Sequence, residues 1–515
     1  MDTQRLHDDF ELCYRALCSR DARFDGRFFI AVTTTGIYCR PICPAPTPYA
    51  HHVRFYPCAA AAEAAGFRAC RRCHPEASPG SPEWNVRADL VAHALRLIAD
   101  GVVDSEGVAG LAQRLAVSER HLHRELVAEV GVGALALART RRAQTARQLI
   151  DQTDLSLTTI AFTSGFASVR QFNETMQGAF GCAPSTFRRR MQPENGGEGK
   201  LTLRLQYRPP FDAGSLLAYL ERRAISGVEE VTNGCYRRTV VLPGSSGIVE
   251  LEPLEGTNSV VLRLQLADLS DLSLLVQRCR QMFDLDAIPD AIADVLSADP
   301  ILAPLVTARP GLRVPGAING FELAVRAILG QQVSIAGART LTARLVAALG
   351  EPLERPVGML THLFPSPQKI VQADLQGLGL TRGRIIALRS LARAVAEEGL
   401  ELDRNVDREQ TVAQLQRLPG VGPWTASYIA MRALGDPDAM PAADLGLRKA
   451  LELQGATTMT PGSIEKHAEA WRPWRAYATH YLWASLPALP SAAKNSRRHR
   501  PSQVVSRAVA QLAAI

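Results

Sequence analysis

The most constraining stretch of this chain is a turn of sequence LPGVG at residues 418–422, between two apolar patterns with helical periodicity. Its glycines can adopt positive φ angles and leave backbone N–H groups open to a ligand. A helix that starts at such a turn has unpaired N–H groups and a favourable dipole, so the turn predicts a phosphate-binding element. Asp444 lies 22 residues after Gly422, before the amphipathic stretch 445–451. Because Asp is a favoured N-cap, a purely structural role for Asp444 stays open at this point.

The turn and the aspartate together resemble the helix-hairpin-helix DNA glycosylases, whose pattern L-P-G-[VI]-G-x-x-T-A is followed by a catalytic aspartate. The resemblance implies that Asp444 is catalytic. It also implies that Leu418, Gly420 and Gly422 contact DNA, and that a monovalent cation binds at the hairpin turn. N-capping and catalysis are compatible roles for Asp444.

The hairpin also indicates the type of reaction. Lyase members of that family carry a lysine where this chain has Trp424, and their lysine forms a Schiff base with the sugar. Lyases often hold an iron–sulfur cluster on four later cysteines, whereas this chain has no cysteine after Cys279. We therefore expect monofunctional base excision. Trp424 and Tyr428, four residues apart on one helix face, match the family's base-pocket positions, and aromatic faces attract cationic alkylated purines.

Composition places loose limits on the partners. The net charge of +7 and a pI near 9.0 permit a polyanionic partner such as double-stranded DNA. No apolar run is long enough to span a membrane, so no membrane partner is expected. A cytoplasmic, nucleoid-associated location follows as an expectation, and there grouped cysteines indicate a metal rather than disulfides.

Four of the ten cysteines form two close pairs, Cys39 with Cys43 and Cys70 with Cys73. Four thiolates complete a tetrahedral zinc shell, so residues 1–80 are predicted to form a small α/β module that binds one Zn²⁺. The same four cysteines would be needed by a zinc site that only stabilises the module. The spacing alone leaves both roles open.

Three motifs around these cysteines, DGRFF (25–29), TTGIYCRP (34–41) and AGFR (65–68), resemble the N-terminal domain of the Ada adaptive-response proteins. The resemblance implies that Cys39 is both a zinc ligand and the acceptor of a methyl group from a DNA methylphosphotriester. Methylation would reduce the negative charge of the thiolate cluster and so raise its affinity for phosphates. The module would then act as a single-use damage sensor.

Residues 83–192 contain two helix–turn–helix patterns, with Ser118 and Ser168 as N-caps of the second helices 119–127 and 169–177. The second pattern resembles the AraC-type DNA-binding domain. This resemblance implies that the protein activates promoters, with RNA polymerase as a further partner. The side chains best placed to reach base edges are Arg120, Arg124, Arg170 and Gln171. A solvated helix face is the simpler interpretation of any one of them.

Residues 200–288 change to a two-residue alternation over 201–205, 237–242, 247–251 and 259–266. This pattern predicts a small α+β domain with an antiparallel sheet, and it resembles the N-terminal domain of AlkA-type glycosylases. An all-α glycosylase domain is expected at 289–490 and a basic tail at 491–515. In the AlkA-like motif GLRVPG (311–316), the resemblance assigns Val314, with Leu312 beside it, to the gap left by a flipped base. A plain packing role for Leu312 stays open at this point.

The sequence therefore predicts a multidomain, predominantly α protein that joins a methylphosphotriester sensor, a transcription regulator and a glycosylase for the 3-methyladenine and 7-methylguanine class. Ada proteins end in a second methyltransferase domain with a P-C-H-R motif, and this motif is absent from the sequence. Asp444 would stabilise the oxocarbenium charge at C1′ or orient the attacking water. The alternative is a regulator whose C-terminal half only binds DNA, with Asp444 as a cap and nothing more.

Overall fold

The protein is described here by a computed structural model that covers most of the chain. The described residues are 7, 9–20, 24, 28–41, 43, 45–70, 75, 90–99, 101–115, 117–187, 200–404, 406–456 and 459–486. None of the helices among them combines the length and the apolar character that a membrane crossing requires.

The N-terminal module is a four-stranded sheet with two helices. Its elements are α1 (Phe10–Ser19), β1 (Phe29–Val32), β2 (Ile37–Cys39), β3 (Val53–Tyr56), α2 (Ala59–Ala64) and β4 (Arg68–Ala69). The strand order is β3-β1-β2-β4, and only the β2–β4 pair is parallel. In that pair Tyr38 lies opposite Ala69, so the residues that follow them, Cys39 and Cys70, emerge side by side.

The second module is helical and contains both helix–turn–helix units. Its helices are α3 (Leu90–Ala99), α4 (Val102–Arg114), α5 (Glu119–Val130), α6 (Ala134–Gln152), α7 (Leu157–Thr163), α8 (Val169–Phe180) and α9 (Pro184–Phe187). The N-caps expected at Ser118 and Ser168 are confirmed, because each hydroxyl accepts a backbone N–H of its helix at 3.2 Å. The long helix α6 connects the two units.

The third module is a five-stranded antiparallel sheet with two helices. It comprises β5 (Lys200–Gln206), α10 (Ala213–Arg223), β6 (Glu229–Thr232), β7 (Cys235–Val241), β8 (Ser246–Pro253), β9 (Ser259–Leu266) and α11 (Leu272–Met282). The strand order is β5-β9-β8-β7-β6. Alternate residues such as Leu203 and Leu262, which pair across β5 and β9, face the core, as the alternation predicts.

The fourth module is helical apart from one two-stranded hairpin. Its elements are α12 (Pro289–Leu296), α13 (Ala303–Ala308), α14 (Gly320–Leu329), α15 (Ile335–Leu349), β10 (Glu351–Val357), β11 (Leu360–Leu363), α16 (Pro367–Gln372), α17 (Arg382–Glu397), α18 (Arg408–Arg417), α19 (Pro423–Arg432), α20 (Leu445–Leu453), α21 (Pro461–Ala468) and α22 (Arg475–Ser485). The hairpin differs from the all-α expectation. The prolines at 352 and 356 obscure its strand pattern in the sequence, since proline weakens any strand assignment.

Two large cores organise the molecule. One lies within the fourth module. The other is continuous from the N-terminal sheet through α6 and α8 to the five-stranded sheet. Polar contacts along α6 support this continuity: Thr140 donates to Glu63 of α2 at 2.6 Å, and Gln152 accepts the backbone N–H of Arg204 at 2.7 Å. The first three modules are thus packed around a single helix.

A buried ionic network joins the five-stranded sheet to the fourth module. Arg238 of β7 bonds Glu229 of β6 at 3.2 Å and also Glu322 of α14. Arg326 of α14 bonds Glu229 at 3.0 Å and Glu322 at 3.1 Å. Burial disfavours the Glu229 carboxylate, but Arg326 and Arg238 outweigh that effect and lower its pKa to about 2. The network therefore remains charged at neutral pH.

We expect Arg238→Met to reduce the free energy of unfolding by about 3–5 kcal/mol, because Glu229 and Glu322 would lose a buried partner. Chemical denaturation measures this change. The matched control is Arg170→Met, which removes an exposed ion pair with Glu174 and should have little effect. Equal losses from the two substitutions would contradict the proposed importance of the buried network.

Candidate active site and metal site

The LPGVG turn connects α18 to α19 as the sequence predicts. Gly420 has a φ of +81°, and a Cβ atom there would lie 2.9 Å from the Ala387 Cβ, so both conformation and space require glycine. Gly422 is the N-cap of α19 with an ordinary φ of −88°. Leu418 packs partly against the core of the fourth module, while both glycines are exposed. The turn thus presents its backbone to solvent.

Asp444 is held by three N–H donors from three different elements. As the N-cap of α20, its Oδ1 accepts the backbone N–H of Leu447 at 2.7 Å. The indole Nε1 of Trp483 donates to the same oxygen at 2.9 Å. The indole Nε1 of Trp424 donates to Oδ2 at 2.9 Å. The carboxylate is therefore fixed in position while the residue remains only half-buried.

Three aromatic rings surround this carboxylate. The rings of Trp424 and Tyr428 stack on each other, with centroids 5.6 Å apart and planes 12° apart. A base between two rings needs about 7 Å, which is twice the contact distance of carbon atoms. The rings of Tyr428 and Trp483 are 6.3 Å apart and tilted by 49°. Neither pair is therefore separated enough to hold a base between its rings, and the wider of the two gaps is the one between Tyr428 and Trp483.

Trp483 is a site residue that sequence reasoning missed. Aromatic residues crowd the stretch 471–483 at a spacing typical of a packed core, and Trp471 is indeed fully buried. The available signal was chemical: a buried indole N–H needs an acceptor. Trp471 finds Asp299 at 2.8 Å, and Trp483 finds Asp444.

The Tyr428 hydroxyl is part of a buried polar cluster that the sequence did not reveal. Arg432 donates to it at 2.9 Å, and the hydroxyl of Tyr219 on α10 lies 3.2 Å away. Burial opposes ionisation of the Tyr428 phenol, but Arg432, Arg223 and the hydrogen bond from Tyr219 outweigh it and lower its pKa to about 8. The third module therefore contributes a side chain next to the aromatic site.

The expectation that Val314 or Leu312 enters the DNA does not fit the structure. Both are buried in the core of the fourth module, and the backbone N–H of Val314 bonds Asp284 at 3.2 Å. Arg313, between them, donates to the Pro210 carbonyl at 2.9 Å and draws the loop inward.

A different segment is exposed beside the hairpin. Residues 332–335 are all exposed, and Gln332 has a φ of +54°. The preceding residue, Gln331, donates through Nε2 to the Gly420 carbonyl and to Thr425, both at 2.8 Å. The exposed segment is thereby tied directly to the turn.

The residues expected to read bases lie on exposed helix faces. Arg120 and Arg124 are on α5, and Arg170 and Gln171 are on α8. Arg124 pairs with Glu125 at 2.9 Å, and Arg170 pairs with Glu174 at 2.9 Å. These exposed pairs are weak enough to open for a phosphate or a base.

Three of the four predicted metal ligands come together. The sulfur atoms of Cys39, Cys43 and Cys70 all lie within 4.8 Å of one another, and all three residues are buried. Cys73 lies outside the described residues. The Cys43 and Cys70 sulfurs are 3.9 Å apart, which matches the separation of about 3.8 Å that tetrahedral Zn–S bonds require. The thiols that are described therefore fit a zinc ion.

Fold and site together define a helix-hairpin-helix DNA repair protein with a regulatory N-terminal half. Four sequence families match the chain in order. They are the metal binding domain of Ada (residues 12–76), a helix-turn-helix domain (111–190), the AlkA N-terminal domain (202–319) and the HhH-GPD superfamily base excision DNA repair protein (325–475).

Whole-chain similarity makes the assignment specific. The probable bifunctional transcriptional activator/DNA repair enzyme AlkA of Mycobacterium tuberculosis is 49% identical over 93% of this chain and 97% of its own length. DNA-3-methyladenine glycosylase 2 of Escherichia coli is 35% identical over 54% of this chain and 95% of its own. The Ada enzyme of the same organism is 34% identical over 36% of this chain and 49% of its own. The chain belongs to the family of bifunctional transcriptional activator/DNA repair AlkA proteins.

We expect one zinc ion per chain, and its loss when Cys43 and Cys70 are both replaced by Ser. Native mass spectrometry of the full chain measures the stoichiometry. Cys58→Ser is the matched control: its thiol donates to the Val130 carbonyl at 3.8 Å, and burial raises its pKa to about 11, so it should not bind metal. Full zinc occupancy in the double variant would refute the assignment.

Proposed function

We propose that the C-terminal half is a monofunctional glycosylase that removes alkylated purines such as 3-methyladenine and 7-methylguanine. The N-terminal half would be a regulator that responds to methylphosphotriesters. The observation that carries the glycosylase proposal is the carboxylate of Asp444, held by two indole N–H groups next to a helix-hairpin-helix turn. A simple N-cap needs neither indole.

In this proposal the hairpin binds the DNA backbone through the exposed glycines, Gly420 and Gly422. Their N–H groups and the dipole of α19 favour a phosphate. The neighbouring segment 332–335 replaces Leu312 and Val314 as the part that enters the duplex. Gln332 would occupy the space of the flipped nucleotide, because its left-handed backbone lies at the exposed tip of the segment.

A flipped purine would lie against Tyr428 and Trp483. Alkylation of a ring nitrogen makes the base cationic, and the faces of both rings attract a cation. The position of the lyase nucleophile is Trp424, which has no amine to form a Schiff base. Water is therefore the proposed nucleophile, and the DNA strand should stay intact.

The chemical step needs little acid catalysis, because a cationic base leaves as a neutral molecule. The C1′–N bond breaks, and its electron pair goes to the base. Positive charge develops at C1′, where the Asp444 carboxylate stabilises it. Water then forms the C1′–O bond and gives up a proton, leaving an abasic site. The indoles of Trp424 and Trp483 and the N-terminal turn of α20 keep the Asp444 carboxylate from moving during this step.

We expect Asp444→Asn to slow base release about a hundredfold or more, because an amide is neutral and presents an N–H₂ group to an indole donor. Release of 3-methyladenine from methylated duplex DNA is the measurement, together with strand integrity before alkali is added.

The matched control is Asp299→Asn. Asp299 also accepts an indole N–H and backbone N–H groups, but it lies among α12, α13 and α21. Activity per folded molecule should be nearly unchanged. Strand cleavage by wild type without alkali would indicate a lyase instead. DNA binding without base release by wild type would indicate the regulator alternative.

For the N-terminal half, we propose Cys39 as the methyl acceptor, as the resemblance to Ada implies. The Cys39 sulfur would attack the methyl carbon of a phosphotriester; the S–C bond forms, and the phosphodiester leaves with the electrons of the C–O bond. Cys39, Cys43, Cys70 and Cys73 would hold zinc, and when bound it keeps such thiols deprotonated.

Exposure to methylphosphotriester DNA should add one methyl group to the intact protein, and peptide mapping should find it on Cys39. Cys39→Ser should gain none, whereas Cys58→Ser should behave as wild type. A methyl group found on wild type at another cysteine would contradict the assignment of the acceptor.

The same proposal makes α5 and α8 the helices that read promoter DNA, and it includes RNA polymerase as a partner at those promoters. A protein that works on chromosomal DNA would be associated with the nucleoid. A monovalent cation at the hairpin is a smaller part of the proposal. Since Gln331 occupies the Gly420 carbonyl, the ion would need other carbonyls of the turn.

A further inference from the structure

His480 carries a buried polar atom that the fold does not use. It lies on α22 and is only 4% exposed. Its Nε2 atom is buried and has no hydrogen-bond partner among the described residues. A buried nitrogen without a partner costs free energy, so such an atom needs an explanation. An apolar side chain of similar size would avoid the cost, and packing alone therefore does not account for a histidine.

The imidazole is adjacent to the proposed base site. Its ring centroid lies 5.0 Å from that of Trp483, in an edge-to-face arrangement, and 5.4 Å from that of Tyr219. Trp483 holds Asp444, and Tyr219 contacts the hydroxyl of Tyr428. His480 thus touches the wall of the site on two sides while having no contact of its own with the catalytic carboxylate.

The environment keeps the imidazole neutral. Burial, followed by the positive charges of Arg432 and Arg223, lowers the pKa of His480 well below its usual range. An imidazolium would repel a cationic base, whereas a neutral ring does not. A neutral imidazole has one N–H donor and one acceptor nitrogen, so Nε2 donates in one tautomer and accepts in the other.

We propose that His480 is a specificity-determining residue, whose Nε2 forms a hydrogen bond with the edge of the flipped purine. This inference rests on the proposed glycosylase function. Adenine presents an amine at C6 and guanine a carbonyl oxygen, so each tautomer of His480 is complementary to only one of the two bases. A site built to hydrogen-bond a substrate discriminates against the analogue that leaves its buried group unpaired.

The test uses the full chain and duplex DNA that contains both 3-methyladenine and 7-methylguanine. Both bases are released in the same reaction and separated by chromatography. Because they compete for one enzyme, the ratio of their rates, divided by the ratio of their amounts in the DNA, equals the ratio of kcat/KM and does not depend on the fraction of folded protein. A purely structural effect would lower both rates without changing this ratio.

His480→Leu should change the ratio by about tenfold, the factor that corresponds to one ordinary hydrogen bond. His480→Gln, whose amide reaches the position of Nε2, should return the ratio toward that of wild type. His480→Asn, whose amide reaches only the position of Nδ1, should resemble the leucine variant. The leucine variant should be at least as stable as wild type in chemical denaturation, since it removes the unpaired nitrogen.

The matched control is Tyr481→Phe on the same helix, which removes a hydrogen bond to the Arg309 carbonyl at 3.3 Å and should leave the ratio unchanged. An unchanged ratio in His480→Leu would overturn this inference alone, with the glycosylase still active. A ratio that the glutamine variant fails to restore would also overturn it. If wild type releases neither base, the proposed function falls and this inference with it.

Discussion

The catalytic half depends on one interaction, the binding of a single carboxylate by two indole N–H groups. Trp424, Asp444 and Trp483 lie near the ends of three different helices, α19, α20 and α22, which the fold brings together. A buried indole must find an acceptor, and a carboxylate at a helix N-terminus has room for more than one donor. Each group thus satisfies a requirement of the others, and the two indoles are held at the carboxylate.

The five-stranded sheet is part of this arrangement rather than an appendage. Glu229 and Arg238 fix α14 to the sheet through buried charges. With that face fixed, α10 places Tyr219 within hydrogen-bonding distance of Arg432 and Tyr428. The polar end of the aromatic site therefore forms only when the third and fourth modules are docked. This explains why a sheet without catalytic residues accompanies the helical region.

Strands and helix caps, which depend on residues close in sequence, could be predicted. Contacts between residues distant in sequence could not. The strand at 259–266, the caps at Ser118 and Ser168 and the cap at Asp444 each depend on residues close in sequence, and the structure has all of them. The role of Trp483 was not predicted, because it depends on a hydrogen bond to Asp444, which lies 39 residues away in the sequence. The inward position of Leu312 and Val314 was not predictable for the same reason: the partners of Arg313 that draw their loop inward belong to another module.

The regulatory half also depends on a few contacts between its modules. Tyr38, directly before Cys39, donates to Glu63 at 2.8 Å, and Glu63 in turn accepts from Thr140 of α6. Beside it, α8 packs on β4, the strand that leads into Cys70. One packed layer therefore separates the thiol cluster from a helix proposed to read DNA. The proposed methylation of Cys39 would therefore take place one packed layer away from α8.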